Sequence, residues 1–448
     1  MRPHLRSVSA PKEIHFKTEE ALKKHIMSGE STLYVSSQTS TVIPYSQLEK
    51  TWTLGQIGHL GQLPKKIELL ADGTLRIRGA VSWKEAREFA EAHGRMILTS
   101  PTEELALMLA GIATSCTGER CFAFGNLRSQ VSRILYLDHR GQERELLATR
   151  PLRVEGHELT AYAGAFESFR EFKNAPFPRL ETETDLMTGT EGQLGVVIEA
   201  DFQTRPKSEL IYAFLLLPRW EESIEAHLEV HAALQSWRGK VLACELVDSN
   251  GMNFVPPELR LGQGRDVVFL EVLASEFEKL YTDVLSRLQF VPVDFIFEIS
   301  EAKYSAVRKA VPRGLFEANS RAGVTKQGTD VQVAPHQLEL LLKKYREAAL
   351  LGVPYTLFGH FGDAHLHFNF NLTSEQRETC ESYFKALYDS CYEWKGSPFA
   401  EHGIGLLKQP YIRRFHSQEH LATFTALKRQ HDPLNQFFPG GFMSPRSG

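Results

Sequence analysis

The chain has 448 residues, 42% hydrophobic and 24% charged, with a formal net charge of −4 when its 17 histidines are neutral, an ordinary globular balance with room for two or three domains. No basic excess points to nucleic acid, no apolar run of about 18 residues offers a spanning helix, and residues 1–10 carry Arg2, His4 and Arg6 without the apolar stretch of a secretory signal. The five cysteines (Cys116, Cys121, Cys244, Cys380 and Cys391) are scattered and lack a CxxC pair, which disfavours a disulfide framework, a structural zinc site and an iron–sulfur cluster, makes a reducing cytoplasm the expected compartment, and leaves any electron handling to an organic cofactor.

Short helices and strands alternate over residues 11–150. Residues 19–27 read as a helix, 32–35 and 42–44 as strands around a polar stretch at 36–41, and 75–81 as a strand. Residues 84–93 carry a helical pattern that Gly94 should stop. Residues 102–109 read as another helix, and 134–138 as a strand before a turn at Arg140-Gly141. Residues 150–187, rich in Pro, Thr and Glu, read as irregular; the loop 188–195 then runs into a strand at 196–204, and Arg205-Pro206-Lys207 marks a domain boundary.

Beyond it come a strand at 211–217, a helix at 221–237, strands at 240–247 and 266–272, a helix at 275–288 and a strand at 293–299. That βαββαβ order is the split ferredoxin-like unit, an antiparallel sheet with helices on one face, and the expected class is α+β. Helices follow at 336–351, 374–394 and 417–430.

The most informative segment is 355–372, YTLFGHFGDAHLHFNFNL. Read as two strands around an Asp363-Ala364 turn, it sets Gly362 opposite His365 and His360 opposite His367. Leu366, Phe368, Phe370 and Leu372 then share one face, and His365, His367, Asn369 and Asn371 the other. A lone strand histidine is most often simply packed or exposed. Two imidazoles leaving one face instead suit a divalent metal, which accepts neutral nitrogen at about 2.1 Å and in a catalytic site adds a carboxylate and an open position. Ala400-Glu401-His402-Gly403-Ile404-Gly405 offers that carboxylate in Glu401, with His402 beside it as a candidate base.

Gly359-His360-Phe361-Gly362-Asp363-Ala364-His365-Leu366-His367 resembles the GHxGDxxLH motif of the FAD-linked D-2-hydroxyacid dehydrogenases. Glu401-His402-Gly403-Ile404-Gly405 resembles their GEHGIG motif, Gly189-Thr190-Glu191-Gly192-Gln193-Leu194-Gly195 their flavin loop, and Thr329-Asp330-Val331-Gln332-Val333 their TDVxV stretch. The resemblance implies a vanillyl-alcohol-oxidase fold: a PCMH-type FAD-binding domain over 1–207, a cap with a large antiparallel sheet over 208–415, and a segment 416–448 returning to the first domain. No GxGxxG or GxxxxGK[ST] fingerprint competes with it.

By resemblance, His360, His367 and Glu401 hold a divalent metal, zinc or manganese, His402 is the base, and Arg308 grips the substrate carboxylate through its guanidinium fork. FAD is expected against Ser37, Gln38, Thr39 and Ser40, against Gly111, Ala113, Thr114 and Gly118, and against Gly189, Thr190, Gly192, Gly195 and Val197. The implied reaction oxidises a small D-2-hydroxy acid of the D-lactate, glycolate or D-2-hydroxyglutarate class to the 2-keto acid. Electrons would leave to a quinone, an electron-transfer protein or a separate iron–sulfur subunit, and peripheral association with the inner membrane stays open. The alternatives are a non-catalytic FAD-binding subunit of a larger oxidase, or a same-fold flavin enzyme acting on another alcohol. The chain departs from the family in its first phosphate stretch, 36–41, which has no glycine, and in Gly328 or Thr329 where the family carries a substrate-contacting lysine.

Overall fold

Apolar runs in the second half of the chain, together with the alternating stretch 365–372, build one eight-stranded sheet. The computed structural model describes residues 11–39, 41–45, 48, 52–99, 101–156, 159–165, 167 and 178–444. The sheet runs Ile296–Ile299, Leu210–Leu217, Asp266–Leu273, Val241–Val247, Tyr355–His360, His365–Leu372 and Thr325–Gly328, with Val331–Gln332 also paired to His365–Leu372. The first part of that order is the fourth, first, third and second strand of a βαββαβ unit, all antiparallel. The histidine hairpin extends the unit through Val241–Val247.

The two faces of this sheet have different partners. Ala213, Leu215, Leu246, Leu357, Leu366 and Phe368 share a core with Val230, Leu341, Leu342 and Phe384 from the helices Glu225–Gln235, Leu338–Ala349 and Arg377–Glu393. On the other face Tyr212, Phe214, Val267 and Phe269 pack against Tyr304, Val307 and Val311 of the helix Glu301–Ala322. This helix of 22 residues was not foreseen as an element, because Pro312 and Gly314 interrupt its pattern. Gly314 is needed where it stands: a Cβ there would lie 2.2 Å from the Phe254 carbonyl oxygen.

The first half contributes a three-stranded parallel sheet (Glu13–His15, Gln56–His59, Thr32–Val35) and a five-stranded antiparallel sheet (Lys66–Leu69, Leu75–Arg78, Val196–Phe202, Val131–Leu137, Glu143–Leu147). Ser82 caps the helix Trp83–Ala92 in a capping box with Glu85, and Gly94 follows it at φ +67°. The C-terminal segment lies against this half. Phe424, Leu427 and Phe442 share a core with Leu75 and Ile112, and buried Lys428 donates to the Gln193 carbonyl and to Asp432, both at 2.7 Å.

Several expectations are corrected. Residues 42–44 are not a strand: the Val42 carbonyl instead accepts the N–H groups of Leu406 and Leu407. Residues 102–109 are not a helix. Their backbone is used to cap the helix beginning at Trp83, through Trp83 N–H to Ala106, Lys84 N–H to Glu104 and Met108 N–H to Val81. The stretch 150–187 is not wholly irregular, since it holds the helix Leu159–Ala165 and a turn of 3₁₀ helix at Glu183–Leu186. No described helix is long and apolar enough to cross a membrane.

Candidate functional site

The face of the large sheet that meets the helix Glu301–Ala322 carries the polar residues of the histidine hairpin. The register differs from the expected one: His360 lies opposite His365, and Phe358 opposite His367. The chain turns through Phe361–Asp363 and a left-handed Ala364 at φ +50°, a longer connection than an Asp363-Ala364 turn. The slip is by an even number of residues, so His360 and His367 still share a face, and His365 joins them there. Alternation in Val241–Val247 adds Glu245 to the same face, because Cys244 and Leu246 point into the opposite core.

Each imidazole is oriented from behind. His360 Nδ1 is 2.8 Å from Glu245 Oε1, and His367 Nδ1 is 3.0 Å from the Thr329 carbonyl. With Nδ1–H donating in both, each Nε2 is the atom turned into the site, where it offers a lone pair to a metal whenever it carries no proton. They converge on Glu401: His360 Nε2 is 3.2 Å from Oε2 and His367 Nε2 2.9 Å from Oε1. His402 Nε2 lies 3.6 Å from Oε1, and the Thr117 hydroxyl donates to Oε2. The ligand atoms of His360, His365, His367 and Glu401 all lie within 4.8 Å of one another, as do those of Asp330, His367, Glu401 and His402.

The segment bearing Glu401 and His402 is a turn without a ladder of its own, so its N–H groups need outside acceptors. Asp330 takes those of Glu401 and His402, both at 3.0 Å. Glu191 takes those of Ile404 and Gly405, and the Val42 carbonyl those of Leu406 and Leu407. Asp330 also accepts from Lys408 Nζ at 2.7 Å and lies 3.1 Å from His365 Nε2.

Burial drives the electrostatics. Burial pushes the Glu401 carboxyl up, but His360 and His367 outweigh it and hold the group well below the usual carboxylate range. Burial also works against Asp330, yet Lys408, His402 and His365 hold its carboxyl far below the ordinary value. Burial lowers His402 to about 4 against the pull of Asp330 and Glu401, so its imidazole is neutral. Glu191 is pushed up to about 7 by burial, opposed by the N–H groups it accepts.

Arg308 stands on the same face but not free. Its Nη2 is 2.7 Å from Glu245 Oε2 and 3.2 Å from Glu119 Oε1. It lines a separate small cavity with Glu119, Arg120, Glu271, Tyr304 and Lys309.

A cavity of about 350 Å3 opens onto His360, Glu401 and His402. Of the residues expected at a cofactor, Gln38, Thr39, Gly111, Ala113, Thr114 and Gly118 line it. Gly192, Gly195 and Val197 line an adjoining cavity of about 110 Å3, and Glu191 borders both. Ser37 is turned away, accepting the Leu107 N–H at 3.2 Å. Thr190 is fully buried, donating to the Leu186 carbonyl at 2.9 Å, and Gly189 borders neither cavity. Ser40 lies outside the described residues.

Residues 208–441 match the family model for the C-terminal domain of FAD linked oxidases. The chain belongs to this FAD-linked oxidase family. Among its relatives, the mitochondrial D-lactate dehydrogenase [cytochrome] of Kluyveromyces lactis is 24% identical over 379 residues, 80% of this chain and 60% of that protein. The glycolate oxidase subunit GlcD of Bacillus subtilis is 25% identical over 275 residues, 57% of this chain and 56% of that protein. A D-2-hydroxyglutarate dehydrogenase of Xanthomonas citri is 25% identical over 407 residues, 85% of this chain and 78% of that protein. The chain thus spans about six-tenths of the length of the first two relatives.

Membership gives the site its frame but does not account for every residue in it. Glu245 and Lys408 went unnoticed in the sequence, and Thr117 was not singled out although it lies between Thr114 and Gly118, which were. Glu245 had a readable signal: it is the one acid in the otherwise apolar strand Val241–Val247, and a charge there needs a partner. Lys408 carried none, since a lysine near a loop is common.

Proposed function

We propose that this chain is an FAD-dependent dehydrogenase of small D-2-hydroxy acids, assisted by a divalent metal. The observation that carries the reading is the convergence of His360 Nε2, His367 Nε2 and His402 on Glu401, in a cavity that Leu33, Val35, Thr39, Ile43, Ala113 and Thr114 help to wall.

The cavity suits a flavin. Leu33, Val35, Ile43, Trp83 and Leu107 supply apolar walls, and Ser36, Thr39, Thr41 and Thr117 supply hydroxyls. FAD bound there would accept the two electrons and hydrogen of the oxidation. The first 207 residues then form a PCMH-type domain of the vanillyl-alcohol-oxidase fold, 208–415 its cap, and 416–448 the returning segment. The contacts of Phe424, Leu427 and Lys428 with the first half support that division.

The donor set suits zinc or manganese. Two neutral nitrogens and a carboxylate are the ligands an open catalytic site uses, and Glu245 and the Thr329 carbonyl already fix the imidazole orientations. A metal held by His360, His367 and Glu401 would acidify a bound hydroxyl.

His402 takes the substrate's hydroxyl proton: its imidazole is neutral and sits beside Glu401. Arg308 receives the substrate carboxylate, which would replace the 3.2 Å contact with Glu119. Lys326, whose amine lies 5.9 Å from the centre of the Phe358 ring, is the other cation we assign to this end. A quinone, an electron-transfer protein or a separate iron–sulfur subunit drains the electrons. Five cysteines without disulfides accord with the reducing cytoplasm.

Elemental analysis beside steady-state kinetics tests the assignment of roles. His360→Ala and His367→Ala should each lose both metal and activity. His402→Ala should keep its metal and lose turnover by about 10² to 10⁴. Full activity in wild-type protein without stoichiometric metal would remove the metal from the account.

A further inference from the structure

Glu191 is a half-buried carboxylate that the reaction described above does not use. It belongs to the loop 189–195, borders both cavities, and sits at φ +55°, a conformation a non-glycine residue rarely keeps without reason. Its own N–H is bonded to the Ala113 carbonyl at 2.8 Å, and that of Gly189 to Ile112 at 2.9 Å, which fixes the loop to the cavity wall. Its side chain reaches the other way. Oε1 accepts the Ile404 N–H, and both oxygens accept the Gly405 N–H, at 3.1 and 3.0 Å.

The neighbouring glycine is shaped by this contact: a Cβ on Gly403, at φ +80°, would lie 2.4 Å from Glu191 Oε1. Asp330 holds the N–H groups of Glu401 and His402 and Glu191 those of Ile404 and Gly405, so two carboxylates clamp the turn from opposite domains. Asp330 is held in place by Lys408, whereas Glu191 is held by the loop that borders the cofactor cavity.

We propose that Glu191 is a positioning residue that couples seating of the cofactor to the placement of Glu401 and His402. Its carboxylate transmits the position of loop 189–195 to the turn 401–405 without touching substrate. The inference rests on the hydroxy-acid reading only for its kinetic arm.

The test compares wild type, Glu191→Ala and Glu191→Gln by hydrogen–deuterium exchange of apoprotein with and without FAD, and by kinetics. In wild type, FAD should slow exchange of the Ile404 and Gly405 amides by about tenfold or more. In Glu191→Ala that slowing should vanish while flavin still binds, and Glu191→Gln, which keeps an acceptor oxygen, should restore it. For the hydroxy acid, Glu191→Ala should lower kcat by about a hundredfold, the loss expected of a base misplaced by an ångström, with metal content unchanged. Glu191→Gln should recover most of that kcat. FAD protecting the two amides equally in Glu191→Ala, or not at all in wild type, would overturn the coupling, as would a kcat of Glu191→Ala equal to wild type. Should wild-type protein oxidise no hydroxy acid, the functional reading falls, and the exchange arm alone still decides the coupling.

Discussion

Replacing Asp330 by asparagine should be among the most costly single changes in the molecule. Its carboxylate is fully buried and accepts from Lys408 Nζ at 2.7 Å and from the N–H groups of Glu401 and His402 at 3.0 Å each. Lys408 is itself only 7% exposed, so the variant leaves a cation in low dielectric without an anionic partner, with only neutral acceptors such as the Pro398 carbonyl at 3.0 Å. Breaking a buried pair from one side costs about 3–5 kcal/mol. The new amide also turns an NH₂ towards groups that donate, and an unmet buried donor costs about 1–3 kcal/mol. Urea unfolding followed by circular dichroism should therefore show a loss of at least about 4 kcal/mol. Adding Lys408→Met removes the stranded charge, so the double variant should be more stable than Asp330→Asn alone. A loss below about 1 kcal/mol, or a double variant worse than the single by the full cost of Lys408→Met, would refute this picture of a buried clamp.

Arg308→Lys keeps the charge but not the fork, and should raise KM for the hydroxy acid with FAD content unchanged; the same rise in Lys326→Met with none in Arg308→Lys would move the carboxylate to Lys326. Glu191 gives a pH signature. Its folded-state pKa of about 7 lies above the ordinary 4.5, so the fold favours the protonated form. The stability it contributes is present below 4.5 and is lost as pH rises to about 7, up to about 3 kcal/mol. Unfolding midpoints of wild type and Glu191→Gln across that window should diverge, with only wild type declining from this cause; parallel curves would contradict it. Gly403→Ala, which sets a methyl 2.4 Å from Glu191 Oε1 at φ +80°, should lower kcat with little change in KM.

Much of this architecture was legible because its signals are periodic. The apolar runs at 211–217, 240–247 and 266–272 gave the strands, and the helical patterns between them gave the order of the βαββαβ unit. The hairpin shows why a face can be read more safely than a register. The turn was placed wrongly and the pairing slipped by an even step, yet His360 and His367 stayed together because side chains alternate with period two. What stayed hidden depends on distant partners. Nothing local tells that 102–109 spends its backbone capping the helix Trp83–Ala92, or that Val42 faces Leu406. Arg308 carries the same lesson for the site: the resemblance singled it out, but the carboxylates of Glu119 and Glu245 that already occupy it come from a loop and a strand far away in sequence.

The central claim is tested most directly by the visible spectrum of FAD-loaded, metal-replete protein under anaerobic conditions. Adding D-lactate, glycolate or D-2-hydroxyglutarate in turn should bleach the flavin band with at least one of the three, and His402→Ala should hold the same flavin without bleaching on that timescale. Flavin that stays oxidised with all three acids, or bleaching that is as fast in His402→Ala, would contradict the assignment of this site to hydroxy-acid oxidation.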